Sequence, residues 1–181
     1  ADQDPIVQAM KEMVETEQLI MDGDVIYLPP FYYAEIGTAN NLKGLMNCMG
    51  KKAAPIQPNM EAITLQTGIE YDEVQVAAIR QAVNSKVMVL TGGPGTGKTT
   101  TTQGIIAALK TMGYSILLAA PTGRAAKRMS EATGMEAKTI HRLLEYNPAD
   151  GYKRNDENPL EGDVLIVDEC SMIDILLMNN L

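Results

Sequence analysis

The stretch MVLTGGPGTGKTTTT, residues 88–102, decides the fold of this chain. It contains the pattern G-x-x-x-x-G-K-[ST] over residues 92–99, in which successive backbone N–H groups curl around an anion and glycines supply positive φ. An apolar run over residues 87–90 comes directly before this loop and predicts a buried strand. A helix predicted to open near Gly97 points its positive end at the same anion. The stretch therefore predicts a strand–loop–helix unit that binds phosphate.

The side chains of the loop have separate roles in such a unit. Lys98 is placed to reach the β- and γ-phosphates of a nucleotide, and the Thr99 hydroxyl is placed to ligate Mg²⁺. The predicted nucleotide-contacting residues of the loop are Gly92, Gly93, Pro94, Gly95, Thr96, Gly97, Lys98, Thr99 and Thr100. A glycine-rich turn that binds no ligand is the alternative.

The length, 181 residues, allows one α/β domain, or a small domain plus part of a larger one. The N-terminal residues ADQDPIVQAM lack a secretory signal, and no apolar run approaches the length of a membrane span. Cys48 and Cys170 lie far apart without a C-x-x-C pair, which suits a reducing compartment. We therefore expect a cytoplasmic protein without a membrane partner.

The formal net charge is −8, which by itself argues against nucleic acid as a partner. The charge is unevenly distributed, however. Residues 1–85 carry 5 Lys/Arg and 12 Asp/Glu, whereas residues 110–154 carry 8 Lys/Arg and 4 Asp/Glu. A basic stripe on an acidic protein is compatible with contacts to a phosphate backbone.

The first 60 residues have the pattern of a small α+β region. An amphipathic helix is predicted to start at Pro5, and the turn Asp22-Gly23-Asp24 between two apolar runs predicts a β-hairpin, followed by a connecting helix. Glycine and prolines over residues 50–60 indicate a boundary. A helix and a hairpin are the back half of a winged-helix module, for which nucleic-acid binding competes with a structural or partner-contacting role, since this region is acidic. We predict a winged-helix-like region over 1–60 and a larger α/β domain over 61–181.

Gln75 lies in a helix predicted over residues 72–83, just before the loop. Asp72-x-x-Gln75 has the spacing of a capping box, in which the glutamine side chain reaches back to the helix N-terminus. Alternatively the Gln75 amide, which offers a donor and an acceptor, could read the edge of an adenine base. Spacing alone favours the cap.

A second buried strand, residues 115–120, ends in the turn Pro121-Thr122-Gly123. Ligands bind at this end of the strands in open α/β sheets. The helix that follows carries Arg124, Lys127 and Arg128 on one face, which is either a solvated surface or part of a ligand site. The alternation of strands and helices predicts a parallel sheet with crossover helices.

Two later features have simpler interpretations. His141 is the only histidine and has no partner for metal binding, so a structural role is predicted for it. Residues 147–162 are rich in Asn, Asp, Gly and Pro and predict a long surface loop.

A third buried strand delivers two adjacent carboxylates, Asp168 and Glu169, at its C-terminal end. Such a pair has definite roles in phosphate-loop proteins. Asp168 would hold Mg²⁺ together with Thr99, and Glu169 would orient or deprotonate the attacking water. A helix N-cap by Asp168 is the alternative. Lys98, Asp168 and Glu169 form the predicted catalytic set.

Together these motifs resemble the RecD-like DNA helicases of superfamily 1, the family of the exodeoxyribonuclease V alpha subunit. The resemblance covers residues 69–180 and rests on Gln75 as the Q motif, LTGGPGTGKTTT as motif I, AAPTGRAAKRMSE as motif Ia, TIHRLLEY after it, and LIVDECSMID as motif II. The N-terminal part is similar to the winged-helix region of that family. The resemblance implies an α/β fold with the parallel sheet of a RecA-like P-loop NTPase.

The resemblance also implies what the residues do. Gln75 would contact the adenine of ATP, and Pro121, Thr122 and Arg124 lie where the family touches the backbone of single-stranded DNA. It implies ATP-driven 5′-to-3′ translocation on single-stranded DNA with unwinding of duplex, in DNA repair and recombination. Whether subunits of a nuclease complex are partners stays open.

Because the chain ends at Leu181, shortly after motif II, we expect an incomplete sheet. In the family a later strand lies between the strands of motifs I and II, so a gap is expected beside the phosphate-loop strand. We therefore expect a fragment of a longer helicase that does not itself unwind DNA. Two alternatives remain open: another P-loop ATPase, such as a clamp-loader-like switch that does not respond to DNA, and a non-enzymatic docking fragment with an idle nucleotide site.

Overall fold

The structure, a computed structural model, describes residues 4–47, 55–93 and 95–181. Cys48 and Pro94, both singled out from the sequence, lie outside the described residues. None of the helices in these ranges has the length and apolar character that a membrane crossing requires. The chain forms two compact units, Ala1–Asn41 with Asp174–Leu181, and Leu42–Ile173. The domain division predicted at residues 60 and 61 stays a prediction.

The described residues form helices and short strands, some of them at the positions that the sequence predicts. In chain order the elements are α1 (Pro5–Glu15), β1 (Ile20–Asp22), β2 (Val25–Tyr27), α2 (Pro29–Asn47), α3 (Met60–Thr67), α4 (Glu73–Asn84), α5 (Lys98–Thr111), β3 (Ile116–Ala120), α6 (Gly123–Thr133), β4 (Ala137–Thr139), α7 (Ile140–Leu143), β5 (Tyr146–Asn147), β6 (Gly151–Tyr152), β7 (Val164–Val167) and α8 (Ile175–Asn179).

The first unit contains a helix and a hairpin at the predicted positions. The Asp4 carboxylate caps α1 by accepting from the Ile6 N–H at 3.0 Å, as acidic N-cap residues do. Strands β1 and β2 are antiparallel and flank the predicted Asp-Gly turn. In the same unit the Asn179 side chain of α8 lies against Gly37 of α2, where a Cβ would have no room.

The second unit contains a three-stranded parallel sheet in the order β4-β3-β7. Ile116 pairs with Val164 and Ala119 with Val167, so β3 and β7 end at the same edge. The α/β fold with a small parallel sheet is therefore confirmed. Strand β4 has no strong sequence signal, because its three residues are too few to show a period.

Helix α5 is the centre of the core of this unit. Its residues Ile105, Ala108 and Leu109 form a buried cluster with Ile63 of α3 and Ile79 of α4. A second cluster joins α5, β3 and α6 through Ile106, Leu118 and Met129. Both faces of α5 are thus covered, which fixes the position of the loop from which it emerges.

The apolar run over residues 87–90 does not form the predicted buried strand. It has no strand partner in the described part of the chain, where β4 and β7 are the two edge strands of the sheet. Leu90 packs against the buried cluster on α5, while Val89 is 83% exposed. The prediction was wrong because apolar side chains indicate burial, whereas a strand also needs a neighbouring backbone to pair with.

The segment predicted as a long surface loop over residues 147–162 is also more regular than expected. Its beginning pairs in a two-residue antiparallel ladder, Tyr146 with Tyr152 and Asn147 with Gly151. Gly151 has φ of +76°, a conformation that glycine adopts without strain. The turn residues therefore close a short hairpin here.

Candidate functional site

The loop before α5 has the backbone that its glycines predict. Gly95 and Gly97 have φ of +76° and +77°, in the left-handed region that favours glycine. A Cβ at Gly92 would lie 2.7 Å from Thr96 Oγ1, so Gly92 is required by space. The Thr96 hydroxyl donates to the carbonyl of Gly93 at 2.9 Å. The loop is thus a tight turn whose shape depends on three glycines.

Lys98 is folded back onto this loop. Its ammonium donates to the carbonyl oxygens of Gly92 at 2.6 Å and Gly93 at 2.7 Å. Lys98 is also the first residue of α5, where the helix dipole adds positive charge. The ammonium and the helix end together favour an anionic ligand beside the glycines.

Four threonines, residues 99–102, follow Lys98 at the start of α5, and their hydroxyls have different partners. Thr101 and Thr102 donate to carbonyl oxygens one turn earlier, at 3.0 and 2.9 Å, as helical threonines commonly do. Thr99 and Thr100 make no side-chain hydrogen bond to any described residue, and of the two Thr99 is exposed. Thr99 therefore offers the hydroxyl that is free to bind a metal or a ligand.

Gln75 both caps α4 and contacts the loop. The Gln75 N–H donates to Asp72 Oδ1 at 2.8 Å, and Gln75 Oε1 accepts from the Asp72 N–H at 3.1 Å, which completes the capping box. The other end of the same amide lies against Gly97, where a Cβ would come within 2.6 Å of Gln75 Nε2. The capping box uses only Oε1 of the amide and leaves the Nε2 donor beside the loop. Gln75 can therefore both cap α4 and contact an adenine base.

Asp168 and Glu169 follow directly after β7. The Asp168 N–H donates to the carbonyl of Ala119 at 3.0 Å, and Asp168 Oδ1 accepts from the Glu169 N–H at 2.8 Å. The short 3₁₀ helix that follows, Cys170–Met172, has no side-chain cap, so the N-cap alternative for Asp168 has no support. Glu169 has φ of +53°, which costs a non-glycine residue about 1–2 kcal/mol.

The Glu169 carboxylate is paired with Arg128 of α6. Arg128 Nη2 donates to Glu169 Oε1 at 2.9 Å, and the two side chains are 63% and 29% exposed. On the same helix Lys127 pairs instead with Glu131, at 3.8 Å and on the exposed side. Sequence reasoning missed the role of Arg128. Its position four residues after Arg124, on the helix that follows β3, was the available signal, but nothing in the sequence identifies its partner.

The residues predicted to touch nucleic acid lie where β3 passes into α6. Thr122 Oγ1 accepts from the Ala125 N–H at 3.2 Å and so caps the helix. Arg124 is exposed and forms no ion pair with any described residue. Pro121 precedes the cap in the turn. This turn therefore exposes to solvent the start of α6 and a guanidinium that has no ion-pair partner among the described residues.

The structure groups these side chains in two sets. Because β3 and β7 are parallel neighbours, the turn at 121–122 and the carboxylates at 168–169 share the edge of the sheet at which α/β proteins bind ligands. Gln75 and Lys98 belong to the other set, at the glycine loop. Among the described residues no hydrogen bond or ion pair joins Lys98 to either carboxylate.

Cys170 and His141, two side chains that could react chemically, lie in surroundings that favour a structural role. Partial burial and, next, the charge of Asp168 raise the pKa of the Cys170 thiol above its ordinary value, which lowers the fraction of the reactive thiolate further. The His141 ring packs against Tyr146 and Tyr152, with ring centroids 5.5 and 6.1 Å apart. These aromatic contacts support the structural interpretation of His141.

Comparison with known proteins identifies the family. Residues 75–181 match the AAA domain family. The chain is 46% identical over 109 residues, 60% of its length, to the ATP-dependent RecD2 DNA helicase of Deinococcus radiodurans. It is 33% identical to the RecBCD enzyme subunit RecD of Mycolicibacterium smegmatis in an alignment of 184 positions, gaps counted, that covers 88% of this chain. It is 46% identical to the ATP-dependent DNA helicase dda of Enterobacteria phage T4 in an alignment of 95 positions, gaps counted, that covers 48% of this chain.

These similarities concern part of each relative. The chain spans 15% of the Deinococcus protein, 32% of the Mycolicibacterium protein and 21% of the phage protein. The family match contains Gln75, the glycine loop and the two carboxylates. The chain belongs to the AAA domain family and, within it, to the RecD-like helicases.

Proposed function

We propose that the intact protein is a DNA helicase that hydrolyses ATP with Mg²⁺, moves 5′ to 3′ along single-stranded DNA and unwinds duplex in repair and recombination. The observation that carries this proposal is the glycine loop, with two glycines at positive φ and the Lys98 ammonium turned onto its carbonyls. Such a loop suits the phosphates of a nucleotide. The names of the relatives supply ATP and DNA as the ligands to test.

The loop would bind the triphosphate through its backbone. The N–H groups of residues 92, 93 and 95–97 would surround the phosphates, and Lys98 would exchange the two loop carbonyls for phosphate oxygens. Gln75 Nε2, which lies against Gly97, would donate to the adenine ring. The capping box supports this role because it fixes the orientation of the Gln75 amide.

Thr99 and Asp168 would hold the metal ion. A hydroxyl and a carboxylate are the oxygen donors that Mg²⁺ prefers, and the Thr99 hydroxyl has no competing bond to a described residue, so the donor chemistry of the two residues suits the ion. Bound Mg²⁺ supplies charge neutralisation on the β- and γ-phosphate oxygens. Glu169 would accept a hydrogen bond from the attacking water and orient it toward the γ-phosphorus.

The start of α6 would contact the DNA strand. Phosphate groups bind readily to the N–H groups at a helix start, and the free Arg124 guanidinium adds a donor fork that matches phosphate geometry. Pro121 and Thr122 shape this start. The site shares its sheet edge with Asp168 and Glu169, which supports a coupling between strand binding and hydrolysis.

The domain organisation is part of the proposal. We infer a motor domain over residues 61–181 and a winged-helix-like region over 1–60 that contacts a protein partner rather than DNA. The excess of acidic residues in the first 85 positions supports this choice, because phosphate contacts require positive charge. The name RecBCD enzyme, which several relatives carry, suggests subunits of a nuclease complex as that partner.

The test is ATP turnover by the intact protein with and without oligo(dT), combined with unwinding of a duplex that has either a 5′ or a 3′ tail. The proposal expects DNA to raise turnover and only the 5′-tailed duplex to be unwound. Turnover that DNA leaves unchanged would favour a P-loop switch of another kind. Millimolar or weaker binding of Mg-nucleotide, unaffected by Lys98→Ala, would favour a docking protein with an idle site.

A further inference from the structure

The ion pair between Arg128 and Glu169 joins two parts of the proposed machinery. Arg128 lies on α6, the helix whose start is the proposed strand site, and Glu169 is the residue proposed to orient water. Their contact is short, with Nη2 and Oε1 2.9 Å apart, and spans 41 positions of the chain. Neither residue has another ion-pair partner among those that the structure describes.

The ion pair with Arg128 competes with the proposed role of the Glu169 carboxylate in orienting water. To orient or deprotonate water, Glu169 must present an oxygen to that water. A guanidinium donor forms a charge-assisted bond that is stronger than a bond to a neutral group, and here it occupies Oε1. Glu169 also has φ of +53°, a sparsely populated conformation that persists only where the surroundings hold it. The observed position of Glu169 therefore depends in part on α6.

A DNA strand at the start of α6 would offer Arg128 a different partner. Arg128 lies four residues after Arg124, and residues with this spacing are neighbours on one helix face. Its side chain is 63% exposed, so the guanidinium is accessible from solvent. Backbone phosphates bound at Arg124 would be anions that accept from the same fork of donors. The strand and Glu169 would thus compete for one arginine.

We propose that Arg128 is a positioning residue that holds Glu169 away from the hydrolytic water until single-stranded DNA binds at the start of α6. The inference rests on the proposed function and adds the residue through which DNA acts on hydrolysis. Coupling between binding sites is reciprocal. The state in which the Arg128–Glu169 ion pair is broken therefore binds DNA more tightly than the state in which the pair is formed.

The size of the effect follows from the exposure of the pair. A solvent-exposed ion pair shifts an equilibrium by about two- to five-fold. Arg128→Ala should therefore raise kcat for ATP in the absence of DNA by about that factor. The KM for ATP should not change, because Arg128 makes no hydrogen bond to any described residue of the glycine loop. The rate with saturating DNA should stay at the wild-type value, so the stimulation by DNA falls.

The experiment measures steady-state ATP turnover of the intact protein with and without oligo(dT). The variants are Arg128→Ala, Arg128→Lys and, as a matched control, Lys127→Ala. Lys127 carries the same charge on the same helix but pairs with Glu131, so its removal should leave DNA-free turnover unchanged. Arg128→Lys keeps the charge and loses the planar fork, so its DNA-free rate should lie between those of the wild type and Arg128→Ala. If Arg128→Ala does not fold, the DNA-free turnover of Arg128→Lys alone tests the inference.

Three results would overturn the inference while leaving the proposed function intact. The first is DNA stimulation of the wild type combined with an unchanged or lower DNA-free rate in both Arg128 variants. The second is an equal rise in Lys127→Ala, which would indicate a general effect of charge. The third is a change in the KM for ATP that accounts for the whole difference. Absence of DNA stimulation and of unwinding in the wild type would instead contradict the proposed function.

Discussion

The side-chain amide of Gln75 lies against Gly97, so that a Cβ at position 97 would come within 2.6 Å of Gln75 Nε2. The amide cannot easily move away, because its oxygen accepts from the Asp72 N–H in the capping box. The start of α4 and the glycine loop are therefore held together by one side chain. Glycine is required at position 97 both by this contact and by its φ of +77°.

The first prediction concerns Gly97→Ala. The added methyl group must displace the Gln75 amide or the loop, so Mg-ATP affinity should fall by at least about ten-fold, the value of one charge-assisted hydrogen bond. Gly113→Ala is the matched control: Gly113 has φ of +80°, but a Cβ there meets no atom within 4 Å. Both variants should lose about 1–2 kcal/mol of stability through the strained φ. Nucleotide titration should separate them, and equal affinities would refute the role of the contact.

The second prediction concerns Lys98→Ala. Loss of the ammonium should weaken Mg-nucleotide binding by about 10- to 100-fold, the range expected for hydrogen bonds to a charged group. Lys110→Ala, in the last turn of the same helix, removes an equal charge far along the helix and should bind normally. Calorimetric titration measures both. Equal losses in the two variants would mean that only net charge matters.

The third prediction separates the threonines of α5. Thr99→Ala removes the free hydroxyl, so the gain in nucleotide affinity that Mg²⁺ gives the wild type should be reduced. Thr102→Ala removes a hydroxyl that donates to the Lys98 carbonyl, and it should keep the Mg²⁺ effect. Titrations with Mg²⁺ and with EDTA provide the measurement. A Thr99→Ala protein with the full Mg²⁺ effect would exclude Thr99 as a ligand.

The fourth prediction concerns stability and pH. Hydrogen bonds from the backbone N–H and then the hydroxyl of Ser115, at 2.8 and 2.7 Å, lower the pKa of Asp163 below its ordinary value of 3.8. A carboxyl whose pKa is lowered on folding stabilises the protein above its unfolded pKa and loses this effect as the pH falls through the folded pKa. Asp163→Asn should therefore have a lower Tm than the wild type at neutral pH. The difference should narrow as the pH falls below 3.8, and a constant difference would contradict this account.

Local sequence signals determine most of what is observed around the loop. The capping box at Asp72, the glycines at 95 and 97, and the start of α5 at Lys98 each depend on residues within a few positions of one another. Such features are encoded by steric and hydrogen-bonding preferences of short segments. They were predicted at the positions where they occur.

The features that could not be predicted from the sequence depend on pairing between residues that are far apart in the chain. The run over residues 87–90 is apolar, yet Val89 is exposed and the run has no ladder among the described residues, because a strand depends on a partner that its own sequence does not specify. The pairing of Arg128 with Glu169 is of the same kind. A cationic face on a helix is visible in the sequence, but the anion that it meets depends on how β3 and β7 are placed.

The most direct test of the account is a comparison of Mg-ATP binding with ATP turnover in Glu169→Gln. Glutamine keeps the size of the side chain and removes the charge that orients water. The account predicts wild-type affinity for Mg-ATP and turnover reduced by about 10²- to 10⁴-fold, the usual contribution of a general base. Turnover close to that of the wild type, with binding intact, would show that the carboxylate after β7 does not serve ATP hydrolysis.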